Sequence, residues 1–259
     1  PTADQTSFSP AKIVPKGLRS FDAADSDFFL ELLPGPRDRD GLPESLRFWK
    51  TRIEETDADR TFRVGLVYGP SGCGKSSLMK AGLLPRLSDH VIRVFLEATP
   101  DQTEQQLLHG LRRACPDLPR DASLVDTLAA IRRGKGIPFG RKVALVVDQF
   151  EQWLYSHGAV TNSDLAAALR QCDGGRIQAV LLVRDDFWMP ISEFLQALEV
   201  RLIEGDNANA VSLFDPLHAR KVLSEFGKAY GRLPENLGQI SRDQDSFLTQ
   251  SVTGLAQDG

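Results

Sequence analysis

The sequence predicts a three-layer α/β fold, a parallel sheet covered by helices on both faces. Three observations carry that expectation. Five β-type runs recur along the chain: "TFRVGLVYG" (61–69), "VIRVFLEA" (91–98), "KVALVVD" (142–148), "RIQAVLLVR" (176–184) and the weaker "NAVSLF" (209–214). Helical segments at 75–84, 101–114, 121–133, 149–157, 161–172 and 186–200 separate them, and strands alternating with helices form parallel sheets. Continuous apolar runs such as "VALVV" and "AVLLV" suit central strands buried on both sides.

The flanks read differently. Residues 1–41 are irregular, with proline, glycine and charge dominating "PTADQTSFSP" and "LPGPRDRDGLP". Between these two stretches, "GLRSFDAADSDFFLELL" reads as a short aromatic helical segment. "LPESLRFWKTRIEETDADR" follows as a helix capped near Pro43, with Leu46, Trp49 and Ile53 on one face at spacings of three and four. After residue 215 only helices are expected, in "DPLHARKVLSEFGKAY" and "DQDSFLTQSVTGLAQ". The expected organisation is a leading segment and helix over 1–60, an α/β core over 61–214, and the start of a helical lid over 215–259.

Composition sets limits on function. The 259 residues are 41% hydrophobic and 25% charged, enough for a sizeable core. The formal net charge of −4 supplies no global basic field, so nucleic acid is not an expected partner. No apolar run approaches the roughly 18 to 20 residues of a membrane helix. Cys73, Cys115 and Cys172 are odd in number and lack metal or redox spacing, which fits a reducing cytoplasm. Cys115 and Cys172 read as structural, whereas Cys73 sits in a glycine loop where a thiol is open to modification. A start at Pro1 and an end at "LAQDG", inside helical pattern, read as a piece of a longer protein.

The glycine loop is the most specific feature. Gly69-Pro70-Ser71-Gly72-Cys73-Gly74-Lys75-Ser76 fits G-x-x-x-x-G-K-[ST], follows an expected strand and opens an expected helix. Glycines let consecutive N–H groups turn toward one centre and form a nest for anions, and a helix N-terminus adds its positive end. Lys75 would reach the β- and γ-phosphates of a nucleoside triphosphate, the Ser76 hydroxyl would bind Mg²⁺, and Ser77 would contact the α-phosphate.

Two further constellations accompany it. In "VALVVDQFEQW", Asp148 ends a strand at the carboxyl edge of the sheet, where ligands bind. It would hold Mg²⁺, largely through water; the alternative is an N-cap on the following helix. Many hydrolysing P-loop ATPases place a glutamate directly after this aspartate, and here that position holds Gln149. Either Glu151 acts as general base, or Gln149 orients the water and Glu151 is a surface carboxylate. Slow hydrolysis is the expectation. In "AVLLVRDDFW", Arg184 ends a strand expected next to the loop strand, and could sense a γ-phosphate or pair with Asp185, Asp186 or Asp148. Phe187 and Trp188 read as core or interdomain aromatics.

Together these residues resemble the STAND class of P-loop ATPases, on the AAA+ and NACHT side, and most closely the bacterial novel STAND NTPases. "YGPSGCGKSSLMKAGLLPRL" resembles the family's Walker A helix, "VVDQFEQW" its Walker B, "LLVRDDFW" its sensor-1 strand, "GLRSFDAADSDFF" its leading segment and "LFDPLHARKVL" the start of its lid. The resemblance implies a P-loop sheet of order 5-1-4-3-2, ATP/ADP and Mg²⁺ as ligands, and a signalling switch that opens for self-association on nucleotide exchange. Effector and sensor domains would lie elsewhere in the full protein. Two departures stand out. The family's paired phenylalanines usually precede Gly-Arg, whereas Phe28-Phe29 lead into "LELLPGPRDRDGLP", where Arg37 and Arg39 read as solvated linker charges. The family's Leu-Pro element of the lid has only "GRLP" (231–234) as a candidate.

Rival readings are an AAA+-like motor or loader acting on DNA or protein, and a small-molecule or nucleotide kinase. The basic stretches "LRRACPDLPR" and "AAIRRGKG" read as helix ends rather than a nucleic-acid stripe. "GIPFGRK" (136–142) reads as a loop rather than a kinase lid.

Overall fold

Four of the five expected strands are long aliphatic runs, and the structure buries them. The computed structural model describes residues 19–157 and 163–257. Strands β1 (Val64–Gly69), β2 (Val91–Glu97), β3 (Lys142–Asp148), β4 (Ile177–Arg184) and β5 (Ala208–Ala210) form one sheet in the order β2-β3-β4-β1-β5. Every pairing is parallel. Taken from the other edge this is the expected order 5-1-4-3-2.

Side chains alternate across the sheet, as the pleat requires. Val143, Leu145 and Val147 of β3 join one core cluster; Ala144 and Val146 join the other. The first cluster packs α4 (Thr103–Ala114), α5 (Leu124–Arg132), α6 (Glu151–His157), α7 (Asp164–Leu169) and α8 (Trp188–Ala197) through Leu107, Leu128, Trp153, Leu165 and Phe194. The second packs α1 (Ser26–Leu32), α2 (Glu44–Glu54) and α3 (Lys75–Ser77, continued to Leu83) through Phe29, Leu46, Trp49, Ile53 and Met79. Residues 46, 49 and 53 are all buried, as their spacing implied.

Several local expectations are corrected. The helix expected over 75–84 is not uniform: α3 is α-helical over Lys75–Ser77, then π-helical over Leu78–Leu83. Leu84 N–H reaches Met79 O, five residues back. Gly82 lets this wide turn press on α2, since a Cβ there would lie 2.8 Å from Leu46 Cδ2. A 3₁₀ turn at Leu84–Arg86 ends it, at a proline that lacks an N–H. The helix expected from 149 starts at Glu151, because Gln149 adopts φ +53°. The start of the 161–172 segment lies partly outside the described residues, as do residues 1–18.

The last strand is shorter than its apolar run. Val211 N–H still donates to Tyr68 O at 2.7 Å, but the chain then leaves the sheet and exposes Leu213 and Phe214. Of the two aromatics expected at core or interdomain positions, Phe187 packs on the core, whereas Trp188 is 39% exposed, with its ring 4.9 Å from that of Tyr68. Helices α9 (Pro216–Ala229) and α10 (Arg242–Gln257) follow the sheet and pack on each other, and α9 also contacts α1. No helix among the described residues is long and apolar enough to cross a membrane.

Candidate nucleotide-binding site

The loop between β1 and α3 stands at the carboxyl edge of the sheet, where a parallel fold leaves its crevice. Gly69 has φ +153°, and a Cβ on it would lie 2.1 Å from Val211 O, so only glycine permits this approach of β1 to the chain after β5. Gly74 caps α3 with φ +94° and has open space where a Cβ would project. Lys75 folds over the loop, its Nζ donating to Gly69 O at 2.7 Å and Pro70 O at 2.8 Å, with Cys73 Sγ at 3.7 Å. Cys73 is buried, as are Cys115 and Cys172.

Asp148 ends β3 and is 1% exposed. Its Oδ1 accepts the Gln149 N–H at 2.9 Å, while Oδ2 is buried with no hydrogen-bond partner among the described residues. Burial pushes the Asp148 carboxyl above its ordinary value, against the lowering influence of the Ser76 hydroxyl and the Gln149 N–H. Glu151 is 7% exposed, so it is not the surface carboxylate of the alternative reading. Its Oε2 is likewise buried without a partner. Burial raises the Glu151 carboxyl too, opposed by its own and the Arg184 backbone N–H groups and by Lys75, and reinforced by Asp148. Gln149 is exposed.

Unpaired buried oxygens are costly, and Glu151 sits within electrostatic reach of both Lys75 and Asp148. A divalent cation held by Ser76 and Asp148 fits this donor set: hard oxygens, a buried unsatisfied carboxylate oxygen and a nearby hydroxyl. Among the described residues no group of three or more His, Cys, Asp or Glu side chains could hold a metal alone, so phosphate and water oxygens would complete the coordination.

Beside the loop lies a cavity of about 430 Å³, lined by Phe29, Pro34, Gly72, Ser77, Phe214 and His218 among others. The leading segment thus reaches the cavity through apolar side chains rather than arginines. Arg37, read as a solvated linker charge, instead donates from Nη2 to Leu30 O at 2.5 Å and Leu33 O at 3.0 Å, closing the C-terminus of α1. Phe214 escaped the sequence reading because its apolar run was assigned to a strand. Arg184 is paired with Asp186, whose Oδ2 accepts from its Nη2 at 2.5 Å.

A family model decides the relationship. The chain belongs to the novel STAND NTPase 1 family. The model matches residues 16–225, from the leading segment through most of α9. By family this chain is therefore a novel STAND NTPase module. No curated protein matches it. Among solved structures, the ORC2 protein of Aeropyrum pernix in its ADPNP–ADP complexes is 17% identical, with TM-score 0.52, covering 76% of this chain and 54% of that one. A Walker-type ATPase of Pyrococcus abyssi is 16% identical, with TM-score 0.54, covering 86% and 66%. Drosophila ORC bound to DNA is 16% identical, with TM-score 0.52, covering 71% and 46%. These likenesses show the fold of the novel STAND NTPase, which spans 46 to 66% of the length of those three chains.

Proposed function

We propose that this NTPase module is an ATP/ADP-binding switch with slow, Mg²⁺-dependent hydrolysis. The observation that supports it best is the pair of oxygens, Asp148 Oδ2 and Glu151 Oε2, that are buried without a hydrogen-bond partner among the described residues, with Glu151 also within electrostatic reach of Lys75 and Asp148. In this reading the loop from Gly69 to Ser76, including Pro70, Ser71, Gly72, Cys73 and Gly74, cradles phosphates with its backbone N–H groups. Lys75 releases the Gly69 and Pro70 carbonyls to hold the β- and γ-phosphates. Ser76 and Asp148 hold Mg²⁺, and Ser77 donates to the α-phosphate. When bound, the ion neutralises charge on the phosphoryl oxygens.

Glu151 takes the proton of the attacking water at Oε2, a task suited to a carboxylate whose pKa burial has raised. Gln149, which replaces the usual glutamate, has no basic oxygen. Arg184 serves as sensor only after giving up Asp186, which makes hydrolysis slower still. The lid would give ATP and ADP states different stabilities, the requirement for a switch. Self-association, and effector and sensor domains in the longer protein, extend the same proposal.

Nucleotide carried through purification tests the reading. Stoichiometric ADP in the parent and none in Lys75→Ala is the expected result, with Glu151→Gln retaining binding and losing phosphate release. An empty parent with turnover on the order of tens per second would overturn it. The Drosophila ORC structure is a complex with DNA; salt-dependent DNA binding by this module would select the motor or loader reading instead.

A further inference from the structure

Glu97 and Lys80 take no part in the site described so far, yet both converge on it. Glu97 ends β2 directly opposite Asp148 in the parallel register, and Ala98 N–H donates to Asp148 O at 2.7 Å. Lys80 lies four residues after Ser76 on α3, and its ammonium donates to Glu97 Oε1 at 2.6 Å and to Ser20 Oγ at 3.2 Å. The same ammonium sits 4.8 Å from the centre of the Phe95 ring. Three elements therefore hold one cation at the end of the sheet where Asp148 emerges.

As a fold-stabilising pair this contact is weak, because the two side chains are 22% and 50% exposed and such pairs contribute little. Its position is the informative part. Burial dominates the Asp148 carboxyl, but Lys80 and Glu97 both act on it, in opposite directions. Paired, they add no net charge beside Asp148. Unpaired, either one would.

We propose that Lys80 and Glu97 are positioning residues for the divalent cation of the nucleotide site, setting the charge beside Asp148 and hence the Mg²⁺ affinity. The proposal rests on the nucleotide-site reading above. With Glu97 neutralised, the free Lys80 ammonium competes with a metal for Asp148. With Lys80 removed, two carboxylates face the metal. The two changes therefore act in opposite senses, and removing both restores the balance.

The test is a Mg²⁺ titration of the full chain with a fluorescent ribose-labelled ADP, read as bound-probe fluorescence. Relative to the parent, Glu97→Gln should raise the half-saturating Mg²⁺ concentration roughly three- to tenfold, the effect of a unit charge within a Debye length of a divalent ion. Lys80→Met should lower it by a similar factor, and the double variant should return near the parent. Single variants that both stay within about twofold of the parent, or that both weaken Mg²⁺ together, would overturn the proposal; the second outcome is that of a merely structural pair. A parent that binds the probe equally with and without Mg²⁺ would overturn the metal reading beneath it.

Discussion

The backbone N–H of Phe21 donates to Ser77 Oγ at 3.1 Å, across 56 residues of sequence. That bond ties the leading segment to the helix that follows the glycine loop. Arg86 reinforces it by donating to Ser26 O at 2.8 Å. The Phe21 ring lies 6.0 Å from that of Phe226 on α9. A single residue thus touches both the loop helix and α9. The Ser77 hydroxyl accepts from Phe21 and keeps its own proton to donate.

Ser77→Ala should therefore do two things. Nucleotide affinity should fall roughly tenfold, the worth of one hydrogen bond to a charged group. The Phe21 amide should also exchange faster with solvent deuterium, even without nucleotide, since its acceptor is gone. Hydrogen exchange resolved at Phe21 checks the second effect apart from the first. Undiminished protection would show that the leading segment is held by its aromatic contacts alone.

Asp148 supports a pH prediction. Burial raises its folded-state carboxyl above the unfolded value. The native state then binds more protons in the window between the two values, so this group's contribution to stability falls as pH rises through that window. Above that window the buried anion is a liability in the nucleotide-free protein. Asp148→Asn should raise the melting temperature above this window and flatten the decline that begins at the ordinary aspartate value. It should also abolish stabilisation by Mg²⁺ with ADP. Calorimetry across pH, with and without both ligands, measures all three effects, and a lower melting temperature above the window would contradict the assignment.

The strands were legible because their burial is written in composition. β3 matches its run residue for residue, and all seven positions are buried. The turn from β1 into α3 was legible because its glycines stand at fixed spacing between an apolar run and a helical one, and Gly69, Gly72 and Gly74 do adopt positive φ. Other features left no such trace. The π-helical turns after Ser77 depend on how Gly82 meets α2, which 3.6-residue periodicity does not encode. The positive φ of Gln149 follows from how β3 hands over to α6. Glu97 became visible as a neighbour of Asp148 only through strand register, and the burial of Lys142 is foreign to its residue type.

Lys142, at the first position of β3, is 1% exposed. Its Nζ donates to Gly174 O at 2.7 Å and to Glu55 O, joining the chain after α2 to the turn before β4. Burial lowers its pKa from 10.5 to about 8, against the raising influence of Asp173 and Glu55. Between these values the unfolded chain holds the proton and the native state does not, so stability rises with pH through the window. Below about pH 8 the charged lysine costs the native state roughly 3 kcal/mol. Lys142→Met should remove that slope between about pH 8 and 10, as denaturant unfolding of parent and variant would show. The variant also orphans two carbonyls, at about 1 to 3 kcal/mol each, so the discriminating quantity is the slope rather than the absolute stability.

Helix α9 meets the leading segment through few side chains, which makes it the element to loosen. Phe226 packs edge-on against Phe28 at 5.3 Å and near-parallel to Phe21 at 6.0 Å. His218, four residues after Phe214, hydrogen-bonds Leu32 O through Nε2 at 2.7 Å. Aromatic pairs of this kind contribute about 0.5 to 1.5 kcal/mol each beyond their buried area. Phe226→Ala should thus release bound ribose-labelled ADP roughly five- to thirtyfold faster, the factor for loss of 1 to 2 kcal/mol. Leu217→Ala, on the same helix but 83% exposed, should leave release unchanged. Stopped-flow displacement by unlabelled ADP gives the rates. Equal rates in Phe226→Ala and the parent would mean that the lid does not retain nucleotide, because the aromatic latch could then be opened without consequence at the loop.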